Sequence, residues 1–567
     1  MTTTHGASAA AQAGGAASPG TEAERAAVRA ALFTHLAGLV VVPTISALWE
    51  RGALDPLVDA RGPVAFDDIV ERTHANRGYL RVALRLLVAC GWLVQTDEPR
   101  GTCGYALTRR GRIAMTLAPP LYAELTSYFL PKALYLEESL FGAADEPVVS
   151  LVRELVQRAR DGWRIALHDD TVTATVRELV RGHLDGMVIG PMIVALARTG
   201  LLARLAAGPI EPAQIAGNDA MLGSVFELLA ARGWIRRAGK AIELTPAGHY
   251  AAQIATSYGV TVSYLPTFAM LPTLLFGNPR VPRVDPSGFE LLVNRAMNVW
   301  GSGGAHRTYF KRLDQVVVEI FNRPIEDQPR GICDMGCGDG TLLAHLYRVI
   351  AEHTLRGQLL DRHPLIVVGA DFNKVARRAT KQTLRQAAVP IFHVIPGDIN
   401  RPAQLAGDLE ALDLDVHELL HIRSFLDHNR PYSRLASYVA SARTPRTTGA
   451  FAYLGDEIPP DELEENLVRH LRRWAPYIAR YGLLVLELHT LPPDLTSANL
   501  DRTPAVAYDG THGFSDQYLV ELPVFIACAR EAGLRASERF AANFPPSELA
   551  TVSLNYFTAA AAAAAAP

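Results

Sequence analysis

Cysteine is scarce: Cys90, Cys103, Cys333, Cys337 and Cys528 are the five in 567 residues. None is spaced as a CxxC pair and the count is odd, so neither a disulfide framework nor a structural zinc is expected, and a reducing, cytoplasmic setting fits. An excess of charge of one sign is also missing. Lys+Arg 55 against Asp+Glu 58 leaves a net charge of -3 and a pI near 6.6. No positive surplus is available to condense on phosphate, which makes nucleic acid a poor partner. Long apolar runs are absent too. "LAGLVVVPTISALW" from Leu36 is too short to cross a bilayer and is expected to break at Pro43. The opening "MTTTHGASAAAQAGGAASPG" lacks the basic and apolar regions of a secretory signal and reads as a tail. No membrane association is expected.

What is present begins with an internal repeat. "HLAGLVVVPTISALWERGAL" at 35 to 54 matches "HLDGMVIGPMIVALARTGLL" at 183 to 202, aligning His35 with His183, Gly38 with Gly186 and Pro43 with Pro191. "LLVACGWLV" at 86 to 94 then matches "LLAARGWIR" at 228 to 236, and "YALTRRGR" at 105 to 112 matches "IELTPAGH" at 242 to 249. Three matched blocks in one order imply duplication. Each copy reads as helix, helix-turn-helix, a helix ending at Gly-Trp, and a short strand closed by "LT..G", the layout of a winged helix. A DNA-reading helix should carry several Lys, Arg or Asn, yet "IEPAQIAGNDAMLGSVFELLAARGW" holds the single Arg232. A packing and dimerisation module is the expectation, with the copies docking on each other or on a second subunit. Such modules resemble those ahead of many small-molecule O-methyltransferases. His35 and His183 read as helix-face residues kept by duplication, since no partner is spaced for metal around either.

The length suggests roughly three or four domains. Composition divides the chain into a tail at 1–22, winged-helix-like repeats at 23–150 and 151–275, a linker and lid at 276–310, a catalytic domain at 311–558 and an Ala-rich tail at 559–567. "FGNPRVPRVDPSG" at 276 to 288 supplies the Pro- and Gly-rich linker.

"GICDMGCGDGTLLAHLYRVI", 331 to 350, is an apolar strand, a glycine turn and an amphipathic helix. The strand delivers Asp334, and Gly336, Gly338 and Gly340 let a ligand approach the backbone. The pattern differs from GxGxxG and resembles motif I of class I S-adenosylmethionine methyltransferases. Strand "LIVVGAD" ends in Asp371, followed by Phe372, where such folds bind the ribose hydroxyls. Strand "IFHVIPGDI" brings Asp398 and Ile399 to the place the resemblance gives to the adenine. The implied fold is α/β: a Rossmann-like domain with a mostly parallel, seven-stranded sheet, behind a mainly helical region with two winged-helix-like repeats.

Two further strands end near one another. "VHELLHIRS" runs into Asp427 and His428, and "LLVLELHTLPP" finishes in Glu487 and His489, which are expensive residues to bury. Both strand ends should face one pocket beside the sulfonium. Methylating a carbon next to a carbonyl requires an enolate, which a divalent ion stabilises as a Lewis acid. Asp427, His428 and His489 could hold iron or manganese, and "THGFSDQY" adds His512, Asp516 and Gln517.

"NVWGSGGAHRTYF" at 298, "HIRSFLDHNRPY" at 421, "YGLLVLELHTLPP" at 481 and "AYDGTHGFSDQYLVELPVF" at 507 resemble the mononuclear iron-dependent C-methyltransferase domain of apratoxin-type polyketide synthase loading modules. The resemblance runs from about 290 to 558. It implies C-methylation of a malonyl-type thioester on a carrier protein, with S-adenosylmethionine and a bound ion as cofactors. It implies His428, His489 and Gln517 as metal ligands, with Asp427 as an alternative ligand or base. It also implies that the "GSGGAH" loop, with Gly303 and Gly304, closes over the methionine part of the cofactor. Action would be in trans, on a separate carrier protein or a free small acid. Two rivals stand: a metal-free O- or N-methyltransferase whose histidines are bases, and a ligand-sensing winged-helix regulator that binds DNA.

Overall fold

The computed structural model describes residues 20–97, 103–167, 170–286, 290–434 and 444–559. The tails expected at 1–22 and 559–567 fall almost wholly outside them. The front half is organised by two long helices, α1 (Glu22–Glu50) and α3 (Thr171–Arg198), with α2 (Arg77–Ala89) between them in the chain. A capping box of Thr21 and Glu24 starts α1, and the Asp170 side chain caps α3 through the Thr173 amide. α1 continues through Pro43, the proline expected to break it, and α3 likewise contains Pro191. Their apolar windows, with mean hydropathy 1.8 and 1.4, are long enough to span a membrane, but 83% and 78% of the window residues are buried inside the protein. Mutual burial is what keeps proline-containing apolar helices intact here.

The repeated residues explain how. A Cβ on Gly38 would lie 2.3 Å from the His183 carbonyl oxygen, and one on Gly186 would lie 2.2 Å from that of His35. The helices therefore cross backbone to backbone at the duplicated glycines. Each histidine is held by the other repeat: His35 Nδ1 meets the Tyr258 hydroxyl at 2.7 Å, and His183 Nδ1 meets the Tyr122 hydroxyl at 2.8 Å. Trp234 lies against His35 and Trp92 against His183. Burial pushes both imidazoles down to about 3. The two modules thus pack on each other within one chain. The "LT..G" blocks also have one cause: Thr108 and Thr245 cap the following helices, and Gly111 and Gly248 press on the Trp92 and Trp234 carbonyls.

The catalytic half opens with α4 (Arg295–Phe321), so the boundary expected at 310 falls inside a helix. Its sheet comprises β1 (Gly331–Met335), β2 (Ile366–Asp371), β3 (Phe392–Pro396), β4 (Leu419–Ser424), β5 (Leu483–Leu488), β6 (Leu534–Ala536) and β7 (Val552–Ala559). The order is β6-β7-β5-β4-β1-β2-β3, with β1 to β5 parallel and β7 antiparallel to both neighbours. A short strand, Ala542–Phe544, also pairs with β7. One sheet face packs on α4 and α5 (Thr341–His353), joining Leu313, Val317, Leu343 and Leu346 to Leu484 and Leu486. The other packs on α6 (Pro460–Trp474), joining Leu467, Leu471 and Trp474 to Leu483 and Val485. Strand order reverses between β1 and β4, which places a ligand crevice beyond their carboxyl ends.

Candidate active site

The glycine turn after β1 is built for close approach. Gly336, Gly338 and Gly340 have φ of 81°, 56° and 80°, values side chains disfavour. The Gly336 amide donates to the Ala370 carbonyl at 2.7 Å and the Gly338 amide to Asp371 Oδ2 at 3.1 Å. Asp371 Oδ1 accepts from the Asn373 amide at 2.7 Å. Each of its oxygens keeps a second lone pair, enough to accept from a ribose diol. A Cβ on Gly338 would meet nothing within 4 Å, and Phe372 beside Asp371 is 84% exposed. Asp334 is buried with its Oδ1 unpartnered, and burial first, then Asp371, holds its carboxyl well above the usual range. An orphaned buried acceptor beside an open turn is suited to a cationic donor, so the residues present fit S-adenosylmethionine. Asp398 Oδ1 accepts from the Asn400 amide, and the buried Ile399 carbonyl accepts from Trp474 Nε1 at 2.7 Å. Gly303 and Gly304 are not in a closing loop; both lie within α4.

From β4 the chain turns at Phe425, at φ 55°, and Leu426 packs over Gly336. The next residues form a short turn that ties the cofactor side to β5. Glu487 Oε2 accepts from the amides of Asp427 (2.7 Å) and His428 (3.2 Å). Glu487 Oε1 accepts from the Leu488 amide at 2.7 Å and meets His428 Nδ1 at 2.5 Å. Alternation along β5 puts Glu487 on the face of Val485, which is why an apolar strand can end in a buried carboxylate. A carboxylate only accepts, so His428 donates from Nδ1, and in its neutral form the lone pair is on Nε2. Edge-on to it, with ring centroids 5.0 Å apart, lies His512 on α7 (Ala505–Gly513). His512 Nδ1 meets the Tyr508 carbonyl at 2.7 Å, which again leaves the lone pair on Nε2. Burial, with His428 second, pushes His512 down to about 3.

The other residues expected at this centre are elsewhere. His489 is buried with both ring nitrogens committed, Nδ1 to the Val520 carbonyl at 3.2 Å and Nε2 to the Ser553 hydroxyl at 2.7 Å. It has no lone pair to offer a metal or a substrate. Asp427 pairs with Arg423 at 2.6 Å and His470 at 3.0 Å in the core, where Arg423 and the His470 hydrogen bond hold its carboxyl well below the usual range against burial. Gln517 donates through Nε2 to the Tyr264 hydroxyl at 2.9 Å and lines, with His512, a cavity of about 10 Å³, the room of one water. Among the described residues no three His, Cys, Asp or Glu side chains converge on one point. The ligand set His428, His489 and Gln517 does not fit a metal. His512, which the strand ends do not carry, is the imidazole that faces His428, and Gln517 lies beside it on the same small cavity.

Three domain families match in order along the chain. Residues 28–95 match the AprA N-terminal domain, 185–278 the AprA winged helix domain, and 290–555 the AprA MT2-like domain, a methyltransferase domain. The chain is a methyltransferase, and its matched segments resemble AprA domains. No curated protein matches it. Among solved structures, the mitomycin 7-O-methyltransferase MmcR is 14% identical with a TM-score of 0.41, covering 68% of this chain and 98% of its own. An O-methyltransferase family protein from Burkholderia thailandensis is 14% identical with a TM-score of 0.39, covering 65% and 94%. An O-methyltransferase family 2 protein from Planctomyces limnophilus DSM 3776, in complex with apigenin, is 11% identical with a TM-score of 0.39, covering 94% and 96%. The MT2-like match contains every cofactor-side and strand-end residue described above, and the N-terminal match contains all of α2.

Proposed function

We propose that this AprA-like enzyme methylates a small secondary-metabolite acceptor that must lose a proton, and that His428 takes that proton. The observation that carries the reading is the 2.5 Å contact of His428 Nδ1 with Glu487, a carboxylate fixed by three backbone amides. S-adenosylmethionine, held by the Asp334 to Gly340 turn and Asp371, supplies the methyl group as an electrophile. Glu487 keeps His428 in the tautomer whose Nε2 can accept, and stabilises the imidazolium once it forms. His512 stays neutral and can accept a hydrogen bond from the acceptor, orienting it. Orientation matters as much as basicity, because transfer requires donor and acceptor in line.

A second reading is favoured by the facing His428 and His512 rings. With Gln517 they would hold a divalent ion, iron or manganese, which would act as a Lewis acid on a malonyl-type carbonyl, carrier-bound or free. Glu487 would then orient the ligand His428 from behind. Labelled methyl transfer to a malonyl thioester and to a panel of phenols and amines, with products assigned by mass and NMR, separates the readings. Methyl on oxygen or nitrogen, indifferent to chelator, supports the first. Methyl on carbon that stops with chelator and returns with iron or manganese supports the second. Transfer that survives His428→Gln contradicts both.

A further inference from the structure

We infer that α2, the helix a winged-helix protein would offer to DNA, is here a template that sets the active-site helix, with Arg85 as its positioning residue. The inference rests on the reading of His428 and His512 as reaction groups and adds what holds them together. Three contacts lie on one face of α2 at helical spacing. Arg85, 6% exposed, donates through Nε to Asp509 Oδ2 at 3.0 Å and through Nη2 to the Thr490 hydroxyl and the Leu491 carbonyl, both at 2.9 Å. Thr490 in turn donates to Asp509 Oδ1 at 2.5 Å. One guanidinium thus joins the chain just beyond β5 to α7, three residues before His512. At the other end of the segment the Tyr79 hydroxyl donates to Asp516 Oδ1 at 2.8 Å, and Arg283 pairs with Asp516 Oδ2 at 2.6 Å. Asp516, at φ 57°, precedes Gln517. Between the two anchors α2 meets α7 at close range: a Cβ on Gly513 would lie 2.7 Å from Val82, and one on Gly510 3.2 Å from Leu86.

The helix that carries His512 is therefore gripped at Asp509, and the turn that follows it at Asp516, by a different part of the chain. Arg85 and Val82 line the same small cavity as His512 and Gln517. A buried arginine with a fixed fork of donors does what a lysine cannot, because it serves Asp509, Thr490, Leu491 and Thr448 at once. Winged-helix docking and catalysis are then one structural event, and the front half completes the site.

The test uses the full chain carrying Arg85→Met, Arg85→Lys and Asp509→Asn, with S-adenosylhomocysteine as the binding probe. Amide exchange across 505–517 is followed together with the imidazole NMR lines of His428 and His512, assigned by His428→Gln and His512→Gln. The expected result for Arg85→Met is exchange across 505–517 faster by about tenfold or more, with segments that do not touch Arg85 unchanged. The His512 line should shift, and S-adenosylhomocysteine should bind within about threefold of wild type. Arg85→Lys should recover part of the protection. If Arg85→Met does not fold, Asp509→Asn, which keeps the volume, carries the same expectation. Unchanged exchange and an unmoved His512 line in a folded variant, or loosening spread evenly over the chain, would overturn the template. Loosening confined to 505–517 with methyl transfer intact would instead uphold the template and sink the reading of His512.

Discussion

Glu487 decides what His428 can do. Replacing it by Gln keeps an oxygen for the backbone amides but removes the charge that fixes the tautomer and stabilises the imidazolium. Glu487→Gln should lower methyl-transfer turnover by about 10²- to 10⁴-fold while S-adenosylhomocysteine titrates unchanged by calorimetry. His489→Gln should behave differently. It removes a buried bridge between the Val520 carbonyl and the Ser553 hydroxyl, so it should lower the melting temperature by an amount corresponding to about 1 to 3 kcal/mol, with cofactor affinity kept. At this scale the sequence is half legible. Asp334, the three glycines and Asp371 announce themselves because their spacing follows from a strand, a turn and a helix. His489 misleads because a strand end says nothing about which way a ring faces or what already fills its nitrogens. The signal for Glu487 lies in the period-two alternation of "LLVLEL", which places it with Val485. His512 and Arg85 depend on contacts between distant segments, and no local pattern encodes them.

Among elements, the crossing of α1 and α3 makes the sharpest demands. Gly38→Ala or Gly186→Ala pushes a methyl into a facing carbonyl and should cost about 1 to 3 kcal/mol in denaturant unfolding. The double variant should cost less than the sum, since one helix separation relieves both clashes. The same crossing has a pH signature. His183 lies at about 3 when folded, below its ordinary 6.5, so the unfolded chain takes up the proton first. Its contribution is complete above about pH 6.5 and declines as pH falls toward the folded value, by about 1.4 kcal/mol per pH unit. The stability gap between wild type and His183→Asn should therefore narrow between pH 6.5 and 4, measured as paired melts. The repeat is legible in the sequence because its three blocks keep their order, and the succession of strands β1 to β5 is legible in their apolar runs. The place of Pro43 inside a helix is not, because only burial against α3 makes a proline-containing helix tolerable there.

For the whole molecule, the first of the duplicated modules packs its α2 helix against the rear half. The α2 helix is buried from Gly78 to Ala89 apart from Arg81, and its face is taken by α7 and by the hairpin Phe451–Ile458, where Gly78 touches the Asp456 carbonyl. A filter-binding assay against duplex DNA at low salt should show no retention above that of a neutral control protein. Fold class and the division into helical front and α/β rear follow from the sequence; the docking of one on the other does not, since it rests on Arg85 and Tyr79 meeting acids more than 400 residues away. In either reading of the chemistry a Glu487-held His428 is indispensable, as the base that takes the acceptor's proton or as the ligand of an ion that organises the acceptor. The most direct measurement is single-turnover methyl transfer by His428→Gln, set beside S-adenosylhomocysteine affinity in the same preparation. Transfer should fall by about 100-fold or more with affinity kept. Transfer at the wild-type rate, with the cofactor analogue bound as before, would contradict the role given to His428.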